Sequence, residues 1–226
     1  VQQALVWVME GIYETDFLGF SYGFRPNRNQ HRALDAVYVA ITQKKVSWVL
    51  DADISQFFDE IDHDWLMRFL QHRIADHRIL RLINQILKAG VLDDGRYIKT
   101  VAGTPQGAVI SPLLANIYLH YVLDLWANQW RNKSARGECY LIRYADDTVI
   151  GFQYRSDGEH FKRALDNRLK KFGLRVNQEK TRLLEFGRFA ASNRKQRNQR
   201  KPETFDFLGF THICSTKRSD GQFKLK

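Results

Sequence analysis

Two adjacent aspartates, Asp146 and Asp147, lie in the run LIRYADDTVIGF (141–152), among residues that are mostly apolar β-formers. The flanks read as two strands joined by a tight turn. Neighbouring carboxylates between partly buried strands repel each other and resist desolvation. Asp53, in VLDADISQFF, sits near the C-terminal end of an apolar strand and carries the same penalty. A divalent cation would answer both problems. Hard oxygen ligands suit magnesium, which keeps several waters and is held by one or two carboxylates plus substrate phosphates. Two such ions about 4 Å apart form the clamp used for in-line phosphoryl transfer. Side chains alternate faces along a strand, so Asp146 and Asp147 cannot both point at one spot. That favours Asp53 and Asp146 as principal ligands, with Asp147 in support. Spacing alone leaves other readings open. An Asp-Asp pair at a hairpin suits plain turn chemistry. Asp53 could close an Asx-turn or pair with an Arg, and Asp51 competes from the same strand face.

The elements that must position these residues are legible in outline. Helical patterns cover 1–14, 31–43, 63–74, 77–90, 111–130 and 159–173. Gly90 and Gly173 fit as C-terminal stops, Ser111 as an N-cap and Pro112 as the first helical residue. Strands are expected at 45–55, 174–176, 181–186 and 204–213, with the hairpin at about 139–153. Turns are expected at Asp94-Gly95 and at 219–221, and SYGFRPNRNQ (21–30) reads as a loop. The stretch 187–201 is polar, basic and without periodicity. Irregular alternation with hairpins points to an α+β fold, with a mixed or antiparallel sheet backed by helices on one face.

The chain has 226 residues and a net charge of +10, from 35 Lys+Arg against 25 Asp+Glu. A balance this basic points to a polyanion, nucleic acid first. Six Lys and Arg fall in 188–201 and could track a phosphate backbone. The basic residues do not gather on one amphipathic helix, and no apolar run approaches a membrane span, so no membrane partner is expected. Cys139 and Cys214 have no metal-ligand spacing and suggest a reducing, cytoplasmic setting. The opening VQQALVWVMEGIYE, without Met, reads as the middle of a helix in a longer protein.

Six ordered blocks resemble reverse transcriptases of the group II intron and related bacterial type: SYGFRPNRNQHRALDAV (21–37), DADISQFFDEIDHDWL (51–66), GTPQGAVISPLLANIYLHYVLD (103–124), YADD (144–147), GLRVNQEKTRLLEF (173–186) and FDFLGF (205–210). The resemblance implies a polymerase palm over 45–226 and part of a helical fingers region over 1–44. Upstream fingers and downstream thumb and maturase regions would lie outside this stretch, and the fragment alone would be weak or inactive.

Position by position, the resemblance implies that Asp53, Asp146 and Asp147 hold two magnesium ions (manganese could substitute), with the Ile54 backbone carbonyl beside them. Phe58 would lie under the incoming sugar and reject a ribose 2′-hydroxyl, the atom that distinguishes the two sugars. Gln106 would touch the incoming nucleotide and templating base, and Gly107 would allow close backbone approach. Lys180 would neutralise phosphate or protonate pyrophosphate. Phe207, Leu208 and Gly209 would grip the primer, Tyr144 would touch primer or template, and Arg25 could contact a nucleic acid backbone. The implied partners are an RNA template, a DNA primer, deoxynucleoside triphosphates and intron RNA. Two further functions compete. One is an RNA-binding maturase scaffold, which has no need of buried carboxylates. The other is a nucleotide cyclase, which has no need of TPQG, Phe58 or the basic balance.

Overall fold

Alternating apolar strands bury both faces of a central sheet, and helices close over it. The computed structural model describes residues 1–89, 91–93, 96–98, 102–104 and 107–226. Helices α1 (Gln2–Tyr13) and α2 (Gln30–Gln43) precede strand β1 (Trp48–Ala52). The single turn α3 (Phe57–Glu60), α4 (His63–Gln71) and α5 (His77–Lys88) follow. A short hairpin, β2 (Val91–Asp93) with β3 (Arg96–Ile98), leads to α6 (Ser111–Leu119), a π-helical stretch at His120–Asp124, and α7 (Leu125–Lys133). Strands β4 (Cys139–Tyr144) and β5 (Asp147–Phe152) form the central hairpin. Then come α8 (Arg155–Lys170), β6 (Arg182–Glu185) and α9 (Ala190–Gln196). Two hairpins follow: β7 (Phe205–Phe207) with β8 (Phe210–His212), and β9 (Cys214–Thr216) with β10 (Phe223–Leu225).

The main sheet runs β4-β5-β1-β6, with every pair antiparallel. The fold is therefore α+β, as the pattern of elements predicts. Period-two alternation sends neighbours to opposite cores. Leu50, Leu141 and Ile150 join one core with Leu114, Ile117 and Tyr118 of α6 and Phe161 of α8. Val49, Ile142 and Val149 join the other with Ala33, Val37 and Ile41 of α2 and Phe205 and Phe207. The second face is thus covered as well, by α2 and the terminal hairpins. Side-chain caps explain three helix starts: Asn29, Asp62 and Asp76 accept from the backbone N–H of Arg32, Trp65 and Arg78.

Several boundaries differ from expectation. The helix expected at 111–130 runs to Lys133 and is interrupted by the π-helical stretch. Ser111 lies inside it, one residue past the N-cap Ile110, with Pro112 in its first turn. The strand expected at 204–213 is instead two strands. Leu208 and Gly209 both take positive φ, +52° and +80°, which makes the tight turn between them. The aperiodic stretch 187–201 contains α9, whose N-terminal Ala190 is buried. The expected stop at Gly90 and the turn at Asp94-Gly95 lie outside the described residues. Among the described residues no helix is long and apolar enough to cross a membrane.

Candidate active site

Sheet register explains how residues 93 positions apart come together. Ala52 of β1 pairs with Thr148 of β5 as the last pair of the register, and Asp53 and Asp147 are the residues next beyond it on their two strands. Across the hairpin Tyr144 pairs with Asp147, leaving Ala145 and Asp146 as its two-residue turn. Ala145 takes a φ of +54°, a region that normally calls for glycine. The end of β1 is clamped from a third segment. Asn177 N–H donates to the Asp53 carbonyl (2.9 Å), and Asp53 N–H donates to the Thr181 hydroxyl (3.2 Å). Within that segment the Asn177 side chain accepts from the N–H of Glu179 and Lys180, an Asx-type turn. The turn carries Lys180 over the carboxylates, with Nζ 3.7 Å from Asp53 Oδ1.

Two adjoining clefts meet at Asp53 and Lys180. One is lined by Asp53, Ile54, Phe58, Asp146, Asn177 and Lys180. The other is lined by Asp51, Asp53, Asp147, Lys180, Arg182 and Phe207, with Asp206 at its side. Asp146 and Asp147 thus face different clefts, as strand alternation requires. Burial first, and then the neighbouring carboxylates, push both above the usual carboxylate range. Lys180 acts on both in the opposite sense. Asp51 is pushed up to about 6, mainly by burial, with Arg182 opposing. No three acidic, imidazole or thiol groups among the described residues close around one point. The donor chemistry nonetheless fits hard cations held by one or two carboxylates each and completed by substrate oxygens.

Phe58 lines the Asp146 cleft, while its neighbour Phe57 is core. The backbone of Phe58 is tied to the GTPQG loop: Thr104 N–H donates to the Phe58 carbonyl (2.9 Å) and Gly103 N–H to that of Ile61 (2.8 Å). A side chain on Gly103 would meet the carbonyl oxygens of Phe58 and Asp59 at 2.8 and 2.9 Å. Gly107 takes a φ of +79° with open space beside it. Gln106 lies outside the described residues. Phe207 is buried, and Leu208 and Tyr144 each pack against the same core. Gly209 is exposed at the turn.

Arg25 is a correction. Its guanidinium is buried and fully occupied, donating to both Glu14 carboxylate oxygens (3.0 and 2.6 Å) and to the carbonyls of Leu18 and Ser21. It fastens the SYGF loop and offers nothing to a phosphate.

A buried polar network beneath the turn escaped the sequence reading. Arg143, 1% exposed, makes a two-pronged pair with Asp124, which is fully buried (2.7 and 2.6 Å). It also donates to Ser21 Oγ, Asn116 Oδ1 and the Ala145 carbonyl. Asn116 in turn donates to the Gly23 carbonyl (2.7 Å). Residues 20–22 bond along β4: Arg143 N–H to the Phe20 carbonyl, Tyr22 N–H to that of Arg143. Gly23 is pressed on the turn so closely that a Cβ there would lie 2.3 Å from Ala145 N. The available signal was an arginine inside an apolar strand, which must find a buried carboxylate.

The reverse transcriptase (RNA-dependent DNA polymerase) family model matches residues 1–212. Protein YkfC of Escherichia coli K12 is 35% identical over 218 residues, an alignment covering 81% of this chain and 56% of YkfC. The group II intron-encoded protein LtrA of Lactococcus lactis is 38% identical over 184 residues, covering 81% of this chain and 28% of LtrA. The chain therefore spans about half the length of one relative and about a quarter of the other. The fold resembles apo telomerase from Candida tropicalis truncated from its C-terminal domain. That match has a TM-score of 0.68 at 15% identity and covers all of this chain and 44% of that one. With its fold shared and the family model matched from end to end of the main sheet, this chain belongs to the reverse transcriptase (RNA-dependent DNA polymerase) family.

Proposed function

We propose that this chain is the catalytic core of an RNA-directed DNA polymerase, within a group II intron-type protein that also assists its intron. The observation that carries this reading is the pair of clefts joined at Asp53 and Lys180, one lined by Asp146 and Phe58 and the other by Asp147. Its substrates would be a DNA primer, an RNA template and deoxynucleoside triphosphates, with intron RNA as a further partner. Residues 45–226 serve as palm and 1–44 as part of the fingers, acting in the cytoplasm and at the nucleoid.

Asp53 and Asp146 would be the principal ligands of a magnesium pair, with Asp147 in support; manganese could substitute. Such ions would activate the attacking hydroxyl and neutralise the developing charge on the phosphates. The rest falls to the chain. The primer 3′-oxygen bonds to the α-phosphorus and loses its proton to water, while the bond to pyrophosphate breaks. Lys180, held on the Asn177 turn, supplies positive charge to the phosphates and a proton to the leaving group. The Phe58 ring excludes a 2′-hydroxyl, and its carbonyl is tied to Thr104 of the GTPQG loop; Gln106 and Gly107 of that loop would serve the incoming nucleotide and templating base. Phe207 lines the adjoining cleft; with Leu208, Gly209 and Tyr144 it would hold the primer end. The test is extension of a DNA primer on poly(rA) with dTTP and magnesium by the full-length gene product. Extension that Asp146→Ala abolishes supports the reading. Tight intron RNA binding without any extension would replace it with the maturase-scaffold reading.

A further inference from the structure

The SYGF loop carries an aromatic ring in an unusual situation. Phe24 takes a φ of +52°, a conformation costly for a bulky residue, and its side chain is still 50% exposed. Looseness does not explain this, because its neighbours Gly23 and Arg25 are both buried. The Gly23 carbonyl is held by Asn116 and the Arg25 guanidinium by Glu14. The loop is fixed on both sides of a ring that it turns outward. Core packing does not explain it either, since Phe24 belongs to neither hydrophobic core. What the ring does meet is Tyr144, with centroids 6.2 Å apart and planes tilted by 48°. Tyr144 immediately precedes the Ala145–Asp146 turn and packs on the same core as Leu208 of the FDFLGF hairpin.

We propose that Phe24 is a nucleic acid-binding residue that extends Tyr144 into a two-ring platform. Its occupant is the primer-terminal base pair of an RNA–DNA heteroduplex, resting base and sugar edges on the rings. The inference builds on the polymerase reading. The chemistry is contact between a flat apolar ring and nucleobase or deoxyribose surface, which tolerates any sequence. The pairing of the buried Arg25 guanidinium with the half-buried Glu14 fixes the ring's position, so ordering it costs little on binding.

Three variants of the full-length gene product test this: Phe24→Ala, Phe24→Gly and Phe24→Tyr. Affinity for a primer–template duplex is read by fluorescence anisotropy without nucleotide, alongside affinity for single-stranded RNA of equal length. Phe24→Ala and Phe24→Gly should weaken duplex binding about tenfold and leave single-strand binding nearly unchanged. Phe24→Tyr should restore it. Phe24→Gly should melt no lower than wild type, because glycine accepts the positive φ. Stability and duplex affinity then move apart, which a packing role could not produce. Wild-type duplex affinity in Phe24→Ala, equal losses on both ligands, or a lowered melting temperature in Phe24→Gly would each overturn the assignment. A wild-type protein that extends primers while Phe24→Ala binds normally refutes this inference alone. A wild-type protein that binds no duplex refutes the polymerase reading with it.

Discussion

Replacing Gly23 by alanine should cripple chemistry while leaving the protein folded. The new Cβ would stand 2.3 Å from Ala145 N, 3.0 Å from the Tyr144 carbonyl carbon and 3.2 Å from Ala145 Cα. Ordinary contact begins at 3.4 Å, so the first of these is about 1.1 Å too close. Every obstacle is backbone, and no side chain can swing aside. The loop cannot easily retreat, since Tyr22 bonds to β4 and Asn116 holds the Gly23 carbonyl. The turn must yield, and Asp146 rides on it. A displacement near 1 Å in a reacting constellation costs on the order of 100-fold in rate, or about 2.7 kcal/mol of barrier. Single-turnover addition of one deoxynucleotide reads the loss, with melting temperature measured in parallel. Gly11→Ala is the control. Gly11 lies on the exposed side of α1 with nothing within 4 Å of its would-be Cβ, so activity should stay and stability rise by roughly 0.5–1 kcal/mol. A folded Gly23→Ala enzyme within threefold of wild type would refute the idea that this contact fixes the carboxylate turn.

The buried network gives a second expectation. Asp124→Ala strands the Arg143 guanidinium, and chemical denaturation should register a loss of about 3–5 kcal/mol; a loss under 1 kcal/mol would mean the pair is not buried. A third concerns pH. Asp51 has a folded pKa of about 6 against an ordinary 3.8, so between those values the folded chain binds a proton that the unfolded chain does not. Its ionisation therefore destabilises the fold above about pH 6, and that penalty disappears as pH falls toward 4. Asp51→Asn should raise the melting temperature at pH 7.5 by more than at pH 5. Comparing variant with wild type removes the opposing effect of His120 and His212, whose burial lowers their pKa values. An equal gain at both pH values would contradict the assignment. Finally, burial pushes the Cys139 thiol up to about 12. Native protein at pH 8 should resist alkylation at Cys139, and mass spectrometry showing rapid modification there would contradict its burial.

Much of this architecture was legible because the signals are local and physical. Alternating apolar residues on both sides of Asp146 and Asp147 announced the hairpin, and helical spacing placed the starts of α2, α4 and α5 to within a residue. The carboxylate set was legible as types in order, but register decided their geometry: the Ala52–Thr148 pairing brings the end of β1 to the carboxylate turn. What stayed hidden depends on contacts distant in sequence. Arg25 reads as a loop cation open to a nucleic acid backbone until Glu14 is seen to receive it. Gly23 is one residue of a stretch that reads as a loop until Ala145 is found against it. Asp124 sits in a pattern continuous with its helix, and nothing local announces the π-helical stretch that carries it toward Arg143. Helix α9 escaped because its run of Arg, Lys and Gln shows almost no apolar period.

Manganese binding measured by electron paramagnetic resonance tests whether Asp53, Asp146 and Asp147 hold divalent cations, without relying on turnover. The full-length gene product with primer–template and a non-incorporable nucleotide analogue should bind about two manganese ions. Asp53→Asn and Asp146→Asn should each weaken that binding at least roughly tenfold. Unchanged stoichiometry and affinity in both variants would contradict the claim.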